Sequence, residues 1–248
     1  MTKSLEELTA AVAEVEGWMS PDQAQRLYHA AAASRPGEQI VEIGSFRGRS
    51  TIVLAGGSPD GVAVVAIDPH AGNDRGPQEF EGYEAEASED HEVFNANLAA
   101  AGVADKVRHV RRFSDAAHAD VEGAIDVLYI DGAHRFAPAR KDIREWGARV
   151  RPGGTMLIHD SFSSIGVTLA IMVELAASGR FRYVGRSRSL TEFRADLDPA
   201  VRSRLMNGLR LCAQLPWFVK NVLVKVLISA KLGGLLEKIT GRPAEWPY

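Results

Sequence analysis

The chain has 248 residues, 46% of them hydrophobic and 25% charged, enough for one large domain with an appendage. Its net charge of −3 offers no general attraction to nucleic acid. A single cysteine, Cys212, excludes an internal disulfide framework and suits a reducing compartment, so a cytoplasmic protein is expected. Residues 1–16 lack the apolar core of a signal peptide. Leu5, Leu8, Val12 and Val15 recur at helical spacing and predict a helix over 4–16, stopped by Gly17. Ser20-Pro21-Asp22 supplies an N-cap and a first-turn proline for a second helix, which Arg35-Pro36-Gly37 ends.

Gln39-Ile40-Val41 then leads through Glu42-Ile43-Gly44-Ser45-Phe46-Arg47-Gly48 into Arg49-Ser50-Thr51, which reads as strand, tight glycine turn and helix start. Gly44 lets the backbone approach a ligand, Gly48 relieves crowding, and Ser50 is placed to cap the helix. A carboxylate inside an apolar strand needs partners, so Glu42 is expected to accept hydrogen bonds from an ammonium or from loop N–H groups. The closely spaced glycines of a dinucleotide fingerprint and the lysine of a P-loop are both missing. Residues 62–67 form an apolar, β-branched run suited to a buried parallel strand. Asp68 ends it, either to receive ribose hydroxyls or to cap the turn before Pro69. The polar stretch 70–92 reads as a substrate-side loop.

A helix from Phe94 to about Ala101 and strands over 107–110, 124–130 and 155–158 follow. Their ends carry Ser114, Asp131 with His134, and His159 with Asp160. Helices are expected over 136–150 and 164–178, a tight turn at Arg151-Pro152-Gly153-Gly154, and a closing antiparallel pair over 181–184 and 189–193. Strands alternating with helices indicate a doubly wound α/β sheet, with ligands outside the carboxyl ends of its strands. Asp131 and Asp160 should converge there if strands four and five are neighbours beside the first. Two converging carboxylates repel unless a proton or cation lies between them, and oxygen ligands with an imidazole nearby suit Mg²⁺ or Mn²⁺. His134 can take a hydroxyl proton at neutral pH, or simply cap the following helix.

The stretch from Glu42 to Thr51 resembles motif I of class I S-adenosylmethionine-dependent methyltransferases. The segments Tyr129-Ile130-Asp131-Gly132-Ala133-His134-Arg135-Phe136, Arg151-Pro152-Gly153-Gly154 and His159-Asp160 resemble their metal-dependent O-methyltransferase branch, which acts on sugar hydroxyls of macrolides and related molecules. Catechol O-methyltransferase is a more distant likeness. The resemblance spans about residues 17–195. It implies a seven-stranded, mostly parallel Rossmann-like sheet, with a helical cap over 1–36, a methyltransferase domain over 37–197 and a helical tail over 198–248. It implies S-adenosylmethionine at Glu42, Gly44, Ser45, Gly48, Ser50, Asp68, Ser114 and Asp131, with Trp18 and Met19 as candidate lid residues. It further implies Mg²⁺ or Mn²⁺ on Asp131, His159 and Asp160, with His134 as general base. His159 is either a ligand or the residue that orients Asp160. The branch often has two acidic residues where His159-Asp160 stands, and often Tyr in place of Phe136. The acceptor implied is a small-molecule hydroxyl, a glycoside first and a phenol or polyketide second.

The tail is a different material. Over 202–242 eight basic residues face one acidic residue, Glu237. Lys220, Lys225 and Lys231 are scattered around an apolar helix interrupted at Pro216. Homodimer packing is the first expectation, contact of residues 217–239 with an anionic membrane surface the second, and packing on its own domain the third.

Overall fold

The computed structural model describes residues 2–71, 84–196 and 200–231. Seven strands form one sheet, in the order β3-β2-β1-β4-β5-β7-β6. β1 (Gln39–Ile43), β2 (Ala63–Ile67), β3 (Val107–Val110), β4 (Ile125–Ile130) and β5 (Val150–Ile158) run parallel. β6 (Phe181–Ser187) and β7 (Leu190–Ala195) form a hairpin, and β7 pairs antiparallel with β5. β4 therefore lies between β1 and β5, the adjacency on which convergence of Asp131 and Asp160 depends. The chain reverses direction across the sheet between β1 and β4, where a crevice opens at the strand ends.

Both faces of the sheet are buried, which is why the parallel strands read as continuous apolar runs rather than alternating ones. On one face Val41, Ile43, Leu128, Ile130 and Met156 pack under α5 (Phe136–Glu145) and α6 (Ile165–Leu175). On the other, Ile40, Val64, Tyr129 and Leu157 meet α1 (Leu5–Ala11), α2 (Pro21–Ala32), α3 (Arg49–Gly57) and α4 (Glu84–Ala100). The N-terminal helices thus share the core of the sheet.

Several boundaries differ from the sequence reading. The first helix ends at Ala11, yet Val12 and Val15 still bury their side chains from the turns that follow. The helix expected to 150 ends at Glu145 and gives way to a 3₁₀ turn, Gly147–Arg149. Residues 151–154 belong to β5, where Gly153 at φ 74° kinks the strand opposite a register shift in β4. Of the expected loop 70–92, helix α4 takes everything from Glu84, and residues 72–83 lie outside the described residues.

The tail folds as α7 (Val201–Cys212) and α8 (Leu215–Ser229) against its own domain. Leu211 enters the core, with Leu215, Trp217 and Phe218 packed beside it. Two buried asparagines tie the helices down. Asn207 accepts from the Tyr183 N–H at 2.6 Å and donates to the Leu175 and Phe181 carbonyls at 3.0 and 3.3 Å. Asn221 donates to the Phe162 carbonyl at 3.0 Å. Intrachain packing, the third expectation, is what these helices do, because a buried amide cannot leave its backbone partners without loss. The expected contact region 217–239 is described only as far as Lys231.

Candidate active site

A cavity of about 1440 Å³ lies at the carboxyl ends of β1, β2, β4 and β5. Its floor starts with the glycine turn. Gly44 has φ 84°, and a Cβ there would collide with the carbonyl of Asp131. The glycine is required because the tips of β1 and β4 press together, joined by Asp131 N–H donating to the Ile43 carbonyl at 2.8 Å. The close approach made by Gly44 is therefore to another strand end as well as to the cavity. Gly48, at φ 86°, is itself the N-cap of α3. Ser50 does not cap that helix. Its hydroxyl lies one position inside the helix and turns back to donate to Glu42.

Glu42 is fully buried behind the turn and is not part of the cavity wall. Its partners are the hydroxyls of Ser50 and Thr51, rather than an ammonium or loop N–H groups. Burial pushes its pKa up to about 8 against the opposing effect of those two hydroxyls, with Asp131 and Asp68 raising it further. The loop N–H groups go instead to Asp68. Its carboxylate accepts from Ser45 N–H at 2.9 Å, Phe46 N–H at 2.8 Å and His70 N–H at 2.7 Å. Asp68 also lines the cavity, and Oδ1, which accepts one bond against two at Oδ2, keeps acceptor capacity. Phe46 holds φ 44° at the tip of this turn and stacks near Trp18, their ring centroids 5.7 Å apart. Trp18 and the buried Met19 both line the cavity wall.

Ser114 lines the cavity and donates to Asp142 at 2.6 Å. Burial raises the Asp142 pKa to about 6, the Ser114 bond opposing. At the other end stand Asp131, His134, His159 and Asp160. His134 Nε2 lies 2.9 Å from Asp160 Oδ2. The buried His159 Nδ1 lies 3.2 Å from Asp131 Oδ1 and 3.4 Å from Asp160 Oδ2, without hydrogen-bond alignment to either. Tyr129 donates to Asp131 Oδ2 at 2.9 Å from the buried face of β4. Burial would neutralise Asp160, but the two imidazoles and the His134 bond outweigh it and hold the carboxyl well below its usual range. Burial likewise lowers the pKa of both histidines, and the neighbouring carboxylates reverse the sign, so both are raised. Asp160 sits at φ 52°, a strained left-handed conformation of the kind that clusters at functional sites.

The ligand atoms that lie within 4.8 Å of one another belong to Asp131, His134 and Asp160. His159 stands beside this trio, close enough to counter both carboxylates as an imidazolium. Two carboxylate oxygens, an imidazole nitrogen and an unaligned buried imidazole make a donor set that fits a divalent cation.

Three cavity residues have no role assigned from the sequence. Tyr129 opens the segment that carries the resemblance but reads as a strand residue, and Asp142 fits the family pattern at its helix without a mechanism to assign. Lys225 comes from α8 in the tail and donates to Ser163 at 2.9 Å. Burial lowers its pKa, with Asp160 pulling the other way. Val222 and Val226 of α8 complete this wall. No local pattern could have found the α8 residues, since their relation to the site is three-dimensional.

Among known proteins, residues 41–161 match the family model described as a methyltransferase domain. That segment runs from β1 past β5 and contains the strand ends that build the cavity. TomG from Streptomyces achromogenes, an O-methyltransferase involved in tomaymycin synthesis and solved with S-adenosylmethionine, superposes with a TM-score of 0.53 at 20% identity, over 79% of this chain and 92% of that one. An O-methyltransferase from Bacillus cereus in complex with S-adenosylhomocysteine gives 0.51 at 18% identity, over 79% and 93%. The methyltransferase PaMTH1 of Podospora anserina, bound to the same product, gives 0.55 at 16% identity, over 79% and 89%. At such identities the likeness is one of fold. Residues 41–161, just under half of the chain, thus match a methyltransferase domain, and the whole sheet has the Rossmann-like fold of the methyltransferases it superposes on.

Proposed function

We propose that the protein is an S-adenosylmethionine-dependent O-methyltransferase acting on a hydroxyl of a small molecule, a sugar or other glycoside first, with a divalent cation and His134 as general base. One observation carries this reading: a hydrogen-bonded His134–Asp160 pair at 2.9 Å faces the same cavity as the glycine turn and Asp68. Gly44, Ser45 and Asp68 offer a backbone and carboxylate cradle for the donor, and Ser114 and Asp142 a second polar edge. The donor, when bound, supplies a methyl group for direct displacement by an oxygen nucleophile. Asp131 and Asp160 would hold the cation, with His159 as a third ligand or as their orienting partner, and His134, bonded to Asp160 through Nε2, keeps Nδ1 for the proton. The cation would lower the pKa of the acceptor hydroxyl. His134 accepts the proton as the oxygen attacks, and Asp160 fixes its ring orientation. Val222, Lys225 and Val226 of α8 wall that end of the cavity.

The test is methyl transfer from labelled S-adenosylmethionine to a panel of glycosides, with S-adenosylhomocysteine binding measured in parallel. EDTA should abolish turnover and Mg²⁺ or Mn²⁺ restore it. His134→Ala should lower the rate about 10²–10⁴-fold and leave product binding unchanged. Full turnover in EDTA removes the cation, and a His134→Ala rate within a few-fold of wild type assigns the proton to another group.

A further inference from the structure

Three adjoining helices turn apolar side chains outward, where a surface helix ordinarily presents polar ones. On α7 these are Val201, Leu205 and Leu209, and on α8 Val219, Leu223 and Val226, each more than half exposed. Ile165, Leu169 and Val173 repeat the pattern on α6, each about half exposed. The spacing of three or four residues puts each set on one helix face. The helices are neighbours: Asn207 of α7 bonds the Leu175 carbonyl of α6, and Asn221 of α8 bonds the Phe162 carbonyl just before α6. The inward faces are already used by Leu211, Asn207 and Asn221, so these outward stripes have no role in the fold.

Along α7 and α8 the charge has one sign, and Glu174 of α6 is already paired with Arg140. From residue 199 to residue 236 there is no Asp or Glu. Arg202, Arg210, Lys220 and Lys231 are exposed along α7 and α8. Two copies meeting about a two-fold axis would set this cationic face against itself. An anionic bilayer instead pairs the basic groups with phosphates and takes up the apolar stripes. By length and composition the stretch Val201–Ser229 reaches that of a spanning helix. Its buried asparagines, and the turn between α7 and α8, hold it on the domain as two surface helices instead.

We propose that α6, α7 and α8 form a docking face for an anionic phospholipid bilayer. Ile165 and Val226 belong both to this face and to the cavity wall, so docking sets the cavity mouth against the lipid surface. On the methyl-transfer reading above, that orientation favours an amphiphilic acceptor embedded in the bilayer.

The experiment is flotation of the full chain, without cofactor or acceptor, on vesicles of phosphatidylcholine alone or with about one third phosphatidylglycerol. Binding should be roughly tenfold or more stronger on the anionic vesicles and fall several-fold between about 0.1 M and 0.5 M salt. Leu205→Glu with Leu223→Glu should lower it at least tenfold, as should Arg202→Gln, Arg210→Gln and Lys220→Gln together. These positions are exposed, and melting followed by circular dichroism checks that both variants fold. Equal binding to neutral and anionic vesicles, or none to either, overturns the proposal. So does a wild-type dimer in light scattering that Leu205→Glu with Leu223→Glu dissociates, since a second copy then covers the face. None of these readings requires methyl transfer, so the two proposals fail separately.

Discussion

Glu42 shows how a single residue serves the turn from behind it. The buried carboxyl is held at a pKa of about 8 chiefly by burial, while its value in an unfolded chain is near 4.5. Folding therefore favours the protonated form. The stability this gives is fully present below the unfolded value and is lost as pH rises through about 8. Glu42→Gln keeps the shape and removes the titration. Its unfolding free energy should lose the fall between about pH 5 and 8 that wild type shows, a difference on the order of a few kcal/mol. Urea unfolding at a series of pH values reads this directly, and parallel curves for the two proteins would show that Glu42 is ionised in the fold. Asp68, by contrast, is tied to the turn by three backbone N–H donors.

At the scale of elements, the tail helices are held by polar contacts as much as by apolar ones. Asn207 satisfies three buried backbone groups, one at the end of α6 and two in β6. Asn207→Ala leaves those groups unpaired, at a cost of about 1–3 kcal/mol for each one that water cannot reach. A lowered urea midpoint of the whole protein is expected, because Leu211 anchors α7 in the same core as the sheet. A midpoint within error of wild type would mean that α7 detaches without loss. α8 follows the same logic, with Asn221 placing Val222 and Lys225 over the cavity.

At the scale of the molecule, the sheet is one frame with cores on both faces and a large cavity at its switch point. A ligand that binds there should stabilise the whole fold. S-adenosylhomocysteine at about 100 times its Kd should add about 2.7 kcal/mol. For a chain of this length that raises Tm by roughly 5–10 °C, read by scanning calorimetry. An unmoved Tm at saturating product would remove the donor site from this cavity.

The sheet and its chemistry-bearing strand ends were legible in the sequence because each rests on a local signal. Apolar runs such as 62–67 and 124–130 need both faces covered, and the glycine turn after Glu42 admits only a few backbone paths. Asp131, His134, His159 and Asp160 could be read as one site once β4 and β5 were taken as neighbours. What local pattern could not supply was the partner of each group. Glu42 found Ser50 and Thr51 because α3 folds back over β1. The loop N–H groups found Asp68 across two strands, and Ser114 found Asp142 across a strand end and a helix. The basic, apolar tail reads first as dimer contact, then as membrane contact, and only third as packing on its own domain. Only tertiary packing decided that its inward face closes the site, since burial and hydrogen-bond satisfaction are summed over the whole fold rather than along the chain.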